Sequence, residues 1–536
     1  MSRGIFSQGF AAVVLALTAA AAPDGAALYR QHCAVCHQSE GQGVPGVFPP
    51  LAASDFLTKD RERALRAPLE GLSGEITVNG AKYNGAMPLL VLDDDSVAAL
   101  MSWIGGNFGN SVAVFTAEEV AKVRAKTKFP TFAALSAANG FATLPAAPAG
   151  WSLREAAVLP VQPARLAKRP DTGDICVLAA SGEVWSVHPD TGVAVPLLMP
   201  KDYLTDMPGG AMCLGLTFDR TGRMWISSNQ TDRGPKPVES VVSVWRSQPL
   251  AGGAAPQMKL WMQVRYPHGI GGFNHGVSHI AEGPDGFMYL SSGSRTDGGE
   301  PGKLADHYTG GEVALTAGMW RLDPRAEKPY PAVWCRGLRN PYGFCWDASG
   351  RMWSTDNGPD ADRPEELNLL EQGKHYGFPF QFAHTSADDR PYPYTPPLPD
   401  DVRVTLPVMN AGPDAGGKAD APIGTFNPHS SPAGVIWVNC DTYPPEDRGS
   451  LFVVRYGNLL AGKDSGFDLL RVKPQSLPGG GWSAEVKVLA APLSRPIDII
   501  EYAPGRLFIA EFSRGTNFAA GISQPGRLLE MKVLPK

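Results

Sequence analysis

Cys33, Cys36 and His37, in "CAVCHQSEGQG", are the residues whose types and spacing speak first. Two thiols three apart can form thioethers to the vinyls of a haem while the next His reaches the iron. A structural zinc site would want a second Cys/His pair at matching spacing, and none follows. The expected cofactor is one covalent haem c, which carries electrons. A second axial ligand is needed, and "YNGAMPLL" offers Met87 ahead of Pro88, 50 residues after His37. His37 and Met87 are thus the expected iron ligands, and soft thioether ligation raises the iron potential.

The segment that follows, "DDDSVAALMSWIGGNFG", starts with aspartates and carries Val97, Leu100, Met101 and Ile104 on one face, the pattern of a capped helix. Together these features resemble class I cytochromes c over residues 25–108, and imply a small all-α domain. A further helix, "TAEEVAKVRAK", opens with a capping box of Thr116 and Glu119. The Pro/Ala-rich "FATLPAAPAG" then reads as a linker.

Beyond Trp151 one short pattern returns: Gly, any residue, an apolar residue, an aromatic, then a strand former. It starts at Gly182, Gly222, Gly286, Gly350, Gly449 and Gly505, at intervals of 40, 64, 64, 99 and 56 residues. Units of this length holding several strands predict a β-propeller, and six copies predict six blades. The expected fold is mainly β, a six-bladed propeller behind the cytochrome domain. The longest interval holds the Pro/Gly-rich insertion 385–427, which reads as a lid or as surface decoration.

The propeller must hold the electron source. No Gly-x-Gly-x-x-Gly opens a helix after a strand, which argues against a Rossmann-type nicotinamide or flavin site. The most distinctive stretch is 334–379, "WCRGLRNPYGFCWDASGRMWSTDNGPDADRPEELNLLEQGKHYGFP". Arg339 can pair bidentately with a carboxylate, Asn340 can donate to a carbonyl, and Gly358 and Pro359 expose backbone oxygens suited to Ca²⁺.

This stretch resembles the soluble quinoprotein glucose dehydrogenases, a family that includes sorbosone and aldose sugar dehydrogenases. The resemblance covers most of 151–536. It implies a propeller carrying pyrroloquinoline quinone (PQQ) and Ca²⁺, with Arg339 and Asn340 on PQQ and Gly358 and Pro359 on calcium. It implies His275 as general base in "NHGVSHIAEGPDG", with His279 as rival, and Arg495 on a PQQ carboxylate. Arg455, in "LFVVRYGN", is carried over near a position where the glucose enzyme uses Lys. Ser294 stands where that enzyme has an Asp orienting the base, so another group, such as Asp297, is expected to fix the imidazole.

The implied activity is a PQQ- and calcium-dependent oxidation of a sugar, alcohol or aldehyde, with electrons passing to the chain's own haem and on to a soluble cytochrome or oxidase. A calcium-dependent propeller hydrolase such as a lactonase, and a non-catalytic carbohydrate-binding propeller, are the alternatives.

Composition bounds these readings. The 536 residues divide into an expected signal peptide at 1–22, the cytochrome at 23–110, a helix and linker at 111–150, and the propeller at 151–536. Arg3 and the apolar run 10–22 suit export, so the expected location is periplasmic or secreted. The run is shorter than the roughly 20 residues of a spanning helix, and no later segment qualifies. A net charge of −5 gives no reason to expect nucleic acid. Of the five cysteines outside the haem motif, Cys335 and Cys345 flank one turn and are the best-placed disulfide pair.

Overall fold

A computed structural model describes residues 23–43, 48–87, 89–90, 92–131, 143–204, 211–270, 274–304, 308–386, 388–458, 465–513 and 526–535. The export segment 1–22 and Pro88 lie outside the described residues.

The haem-motif region begins with α1 (Gly25–His32), α2 (Ala34–His37), α3 (Asp55–Lys59) and α4 (Arg61–Glu70). A hairpin of β1 (Leu72–Val78) and β2 (Ala81–Met87) follows, then α5 (Asp94–Gly106) and α6 (Ala117–Arg124). Asp24 caps α1, and Asp93 caps α5 by accepting from the Ser96 amide at 2.8 Å. Gly25 lets α1 lie against α5, because a Cβ there would sit 2.4 Å from the Ala99 carbonyl oxygen. Two expectations need correction. The domain is not all-α: Asn79 and Gly80, both at positive φ, form a two-residue turn between alternating strands, the favoured hairpin chemistry. The capping box is also only half formed. Thr116 accepts from the Glu119 amide, but the Glu119 carboxylate turns to Arg61.

Six sheets follow. The first holds Pro163–Lys168, Ile175–Ala179, Val184–Val187 and Ala194–Leu198. The second holds Met212–Phe218, Arg223–Asp232, Glu239–Pro249 and Lys259–Pro267. The third holds Val277–Glu282, Met288–Ser292, Gly318–Leu322 and Ala332–Arg336. The fourth has Phe344–Trp346, Met352–Asp356 and Glu366–Leu370. The fifth has Pro432–Val438, Ser450–Arg455, Asp468–Ser476 and Trp482–Ala490, with Met409–Pro413 added in parallel outside. The sixth joins Pro496–Ala503, Arg506–Glu511 and Arg527–Val533 to Trp151–Val158, so its outer strand comes from the start of the propeller. The chain is a six-bladed propeller behind a cytochrome domain.

In two of its copies the Gly-aromatic repeat has a hydrogen-bonded cause. Asp219 accepts from the Thr221 and Arg223 amides and from the Trp225 indole at 2.9 Å. Asp347 does the same for Ser349, Arg351 and Trp353. One carboxylate thereby closes the turn and fixes the buried indole. Five repeat copies mark the turn into a blade's second strand. Gly182 instead precedes the third strand of the first blade, whose equivalent turn is at Gly173, and this explains the short interval of 40 residues.

Cys335 and Cys345 are not paired, and all seven cysteines are free. Cys335 lies in the last strand of the third blade and Cys345 in the first strand of the fourth. What looks like one hairpin turn is the crossing between blades.

Candidate functional site

The haem-motif residues meet at one apolar cleft. Cys33, His37 and Met87 line it with Pro49, Leu57, Leu100 and Ile104, around about 590 Å³ free of protein atoms, open solvent included. His37 is buried, and its Nδ1 lies 2.9 Å from the Pro49 carbonyl oxygen. That partner requires the proton on Nδ1, which leaves Nε2 as the metal-facing nitrogen. Burial holds the imidazole below its usual proton affinity, as a neutral ligand requires. One motif thiol (Cys33), an oriented imidazole and a thioether line an apolar slot, with Cys36 one turn along in the helix Ala34–His37, and this set fits a c-type haem. Gln38, next to His37, accepts a 2.8 Å hydrogen bond from Arg233 at the tip of the second blade, so this side of the cytochrome touches the propeller.

The propeller residues gather because of strand direction. His275 lies two residues before the innermost strand of the third blade, Arg339 and Asn340 just before that of the fourth, and Arg495 directly before that of the sixth. Ser294, Gly358 and Gly457 follow the second strands of their blades. In an antiparallel blade, entry to the first strand and exit from the second share one end, so all these residues reach the same end of the channel.

Backbone hydrogen bonds knit them together. The His275 amide donates to Ser294 O at 2.9 Å, and the Ser294 amide donates to Arg339 O at 2.7 Å. The His275 Nδ1 lies 3.2 Å from Ser294 Oγ, whose own hydrogen goes to Thr296 O at 2.7 Å. Ser294 therefore accepts from Nδ1–H, and Nε2 is left as a lone-pair acceptor with no hydrogen bond among the described residues. Burial and then the Arg339 charge lower the His275 pKa to about 3. The rival, His279, lies inside the strand Val277–Glu282 at its register shift, against the Phe344 ring at 4.5 Å and beside the Arg165 charge. The two histidines thus have separate surroundings.

Asp297 does not touch the imidazole, contrary to the sequence expectation. It grips Arg339, which also donates from Nε to Asp297 O at 3.0 Å and from Nη1 to Asn357 O at 3.2 Å. The short Ser294 hydroxyl takes the orienting role instead. The Asn340 amide nitrogen of the backbone is held by Asp356 at 2.6 Å, while its side-chain amide has no hydrogen bond among the described residues. Nor do the carbonyls of Gly358 and Pro359 accept one there. Open carbonyl oxygens beside Asp297 and Asp360 suit a hard cation, and open donors beside Arg339 suit an anionic, carbonyl-bearing group.

Arg495 is buried at φ 56°, a strained backbone for a non-glycine, with its guanidinium near the Tyr456 and Phe467 rings. It donates to Gly457 O and, at 3.0 Å, to Asn458 O. Arg455 is differently placed. Asp468 takes its Nε and Nη2, and Asp414 takes Nη1 and Nη2. With both carboxylates closed around it, Arg455 forms a buried ion triad rather than an open ligand arm.

Sequence reasoning passed over two residues here. Glu365, buried and accepting from Ser430 and the Ser431 amide, has its pKa pushed up to about 8 by burial. Tyr392, from the Pro-rich insertion, hydrogen bonds to Asp297. The Tyr-Pro-Tyr of that insertion was the available signal.

Comparison with known proteins agrees with this architecture. The profile of the "Glucose / Sorbosone dehydrogenase" family matches residues 161–455, and that of "Cytochrome c" matches 22–107. Cytochrome c-552 of Thermus thermophilus is 46% identical over 21% of this chain and 82% of its own length. The aldose sugar dehydrogenase YliI of Escherichia coli is 24% identical over 40% of this chain and 58% of that protein. A solved structure of the PQQ-bound aldose sugar dehydrogenase from Streptomyces coelicolor is 19% identical, covering 72% of this chain and 99% of that one, with a TM-score of 0.47. This family membership replaces the hydrolase and sensor alternatives. The chain belongs to the glucose/sorbosone dehydrogenase family: it is a sugar-dehydrogenase propeller, an oxidoreductase, fused to a cytochrome c domain.

Proposed function

We propose that this protein is a periplasmic or secreted, PQQ- and Ca²⁺-dependent dehydrogenase that oxidises an aldose or related alcohol or aldehyde and delivers the electrons to its own haem c. The observation that carries this reading is His275: Nδ1 fixed by Ser294, Nε2 open, and Arg339 alongside. When bound, PQQ supplies a hydride-accepting carbonyl that Ca²⁺ polarises, and haem c supplies a one-electron store.

The chain's residues supply the rest. His275 takes the substrate hydroxyl proton at Nε2, while Ser294 holds Nδ1–H and stabilises the imidazolium that results. Arg339 and Arg495 hold the carboxylates of PQQ, whose burial would otherwise be too costly. Asn340 would donate to a quinone oxygen, and the Gly358 and Pro359 carbonyls would offer hard oxygen ligands to calcium. On the cytochrome, Cys33 and Cys36 would anchor the haem while His37 and Met87 would bind the iron. Fusion makes electron delivery intramolecular and raises the effective concentration of the acceptor. Export follows from the segment 1–22, and no helix among the described residues is long and apolar enough to cross a membrane. A soluble cytochrome or an oxidase would take the electrons onward.

The test is reconstitution of the purified protein with PQQ and Ca²⁺, followed by addition of aldoses while the haem spectrum is recorded. Haem reduction that requires sugar, PQQ and Ca²⁺ together supports the reading. Reduction that survives EDTA treatment and omission of PQQ removes it.

A further inference from the structure

The insertion between Glu366–Leu370 and Met409–Pro413 does not hang free. Asp389 pairs with Arg363 at 2.6 Å, anchoring one end to the loop that follows Gly358 and Pro359. Tyr392 donates its hydroxyl to Asp297, Tyr394 donates to Glu300 at 3.3 Å, and Thr395 donates to Gly298 O at 3.2 Å. The Tyr392 and Tyr394 rings stack at 5.0 Å and 15°. The seat beneath them is glycine: a Cβ on Gly298 would meet the Tyr392 ring at 2.3 Å, and one on Gly299 would meet Pro396 at 2.7 Å. The insertion is therefore a fitted strap.

What the strap touches matters more. Asp297 is almost fully buried, and its carboxylate meets Arg339, the Tyr392 hydroxyl and the Asp360 amide at 3.1 Å. A buried ion pair holds its geometry only when the remaining lone pairs are also satisfied. Tyr392 supplies one of those hydrogen bonds, from a segment far from Asp297 in sequence.

We infer that Tyr392 is a positioning residue for cofactor capture: through Asp297 it sets the guanidinium of Arg339, and the strap 389–396 closes over the loop that carries them. The inference rests on the proposed role of Arg339 toward PQQ. It implies that Tyr392 never touches the reacting atoms.

The test compares Tyr392→Phe, which keeps the ring in its glycine seat, with Asp297→Asn, the double variant and Arg339→Ala. The readouts are PQQ affinity and dissociation rate of the full-length protein in saturating Ca²⁺, followed by quinone fluorescence. Tyr392→Phe should weaken PQQ binding about tenfold, the scale of one lost hydrogen bond to a charged group. Its thermal midpoint without PQQ should fall no further than that of Asp297→Asn, which loses a charge from the same contact. The double variant should be no weaker than Asp297→Asn alone, because both act through one contact. Wild-type PQQ affinity in Tyr392→Phe, or losses that simply add, would overturn the inference. If Arg339→Ala weakens binding and Tyr392→Phe does not, only the strap's role fails. If Arg339→Ala binds PQQ like wild type, the cofactor reading fails and the inference with it.

Discussion

Replacing Ser294 by Ala removes one oxygen and tests the base assignment. In the wild type the Ser294 hydroxyl spends its hydrogen on Thr296 O, so toward His275 Nδ1 it can only accept. This fixes the tautomer with Nε2 bare. Without the hydroxyl, Nδ1–H has lost its acceptor inside the pocket, and the tautomer carrying hydrogen on Nε2 gains population. The imidazolium formed during turnover also loses its partner. A hydrogen bond to a charged group contributes about 1.5–3 kcal/mol, and each 1.36 kcal/mol is tenfold in rate. The 3.2 Å separation puts this one at the weaker end. Ser294→Ala should therefore slow sugar-driven haem reduction by about tenfold in stopped flow, against roughly 10²-fold or more for His275→Ala. Haem reduction by chemically pre-reduced quinol should be unchanged in both, because that step needs no base. Ser294→Asp should restore the rate and raise the proton affinity of the imidazole. If Ser294→Ala and His275→Ala both reduce their haem with sugar as fast as wild type, the pocket is not the site of proton removal.

Other outcomes follow from the same geometry. The His275 pKa lies near 3, so its neutral, competent form persists as pH falls; kcat/KM for sugar should show no His275 limb between pH 8 and 5. In Ser294→Asp a limb should rise into that window. Met87→Ala should keep its haem, since the thioethers are untouched, but show a lower potential by redox titration and an altered spectrum. Arg455→Leu should leave Asp414 and Asp468 buried without their partner, costing about 3–5 kcal/mol, seen as a lower denaturation midpoint rather than as a selective loss of PQQ affinity.

The sequence was most legible where one residue type has one physical use. The spacing of Cys33, Cys36 and His37 led to the haem cleft, and the repeated Gly-aromatic turns led to six blades. It was less legible where pairing depends on distant chain. Cys335 and Cys345 looked like neighbours across a turn, although a blade boundary separates them. The Asn79-Gly80 turn between alternating residues was readable as a hairpin, yet the helical pattern on either side dominated. Ser294 looked like a gap in the expected constellation, because a carboxylate was assumed where a hydroxyl with a fixed hydrogen suffices. The charge on Arg455 could not reveal that Asp414, from the insertion, would reach it. Tyr392 was hidden for the same reason: its partner Asp297 lies 95 residues away.

The sixth blade carries one more consequence, for the order in which the molecule is made. Its seam joins Trp151–Val158 to Arg527–Val533, and the Ser152 hydroxyl meets the Lys532 carbonyl across 380 residues. Contacts of such long range form slowly, and until the last strand has been synthesised the first waits with an unpaired edge. The cytochrome domain precedes that waiting strand in the chain, beyond the segment 125–150. A truncated product would thus keep an open seam behind its electron carrier. Sealing the ring is therefore a late event that waits for the last strand, whatever the state of the blades between.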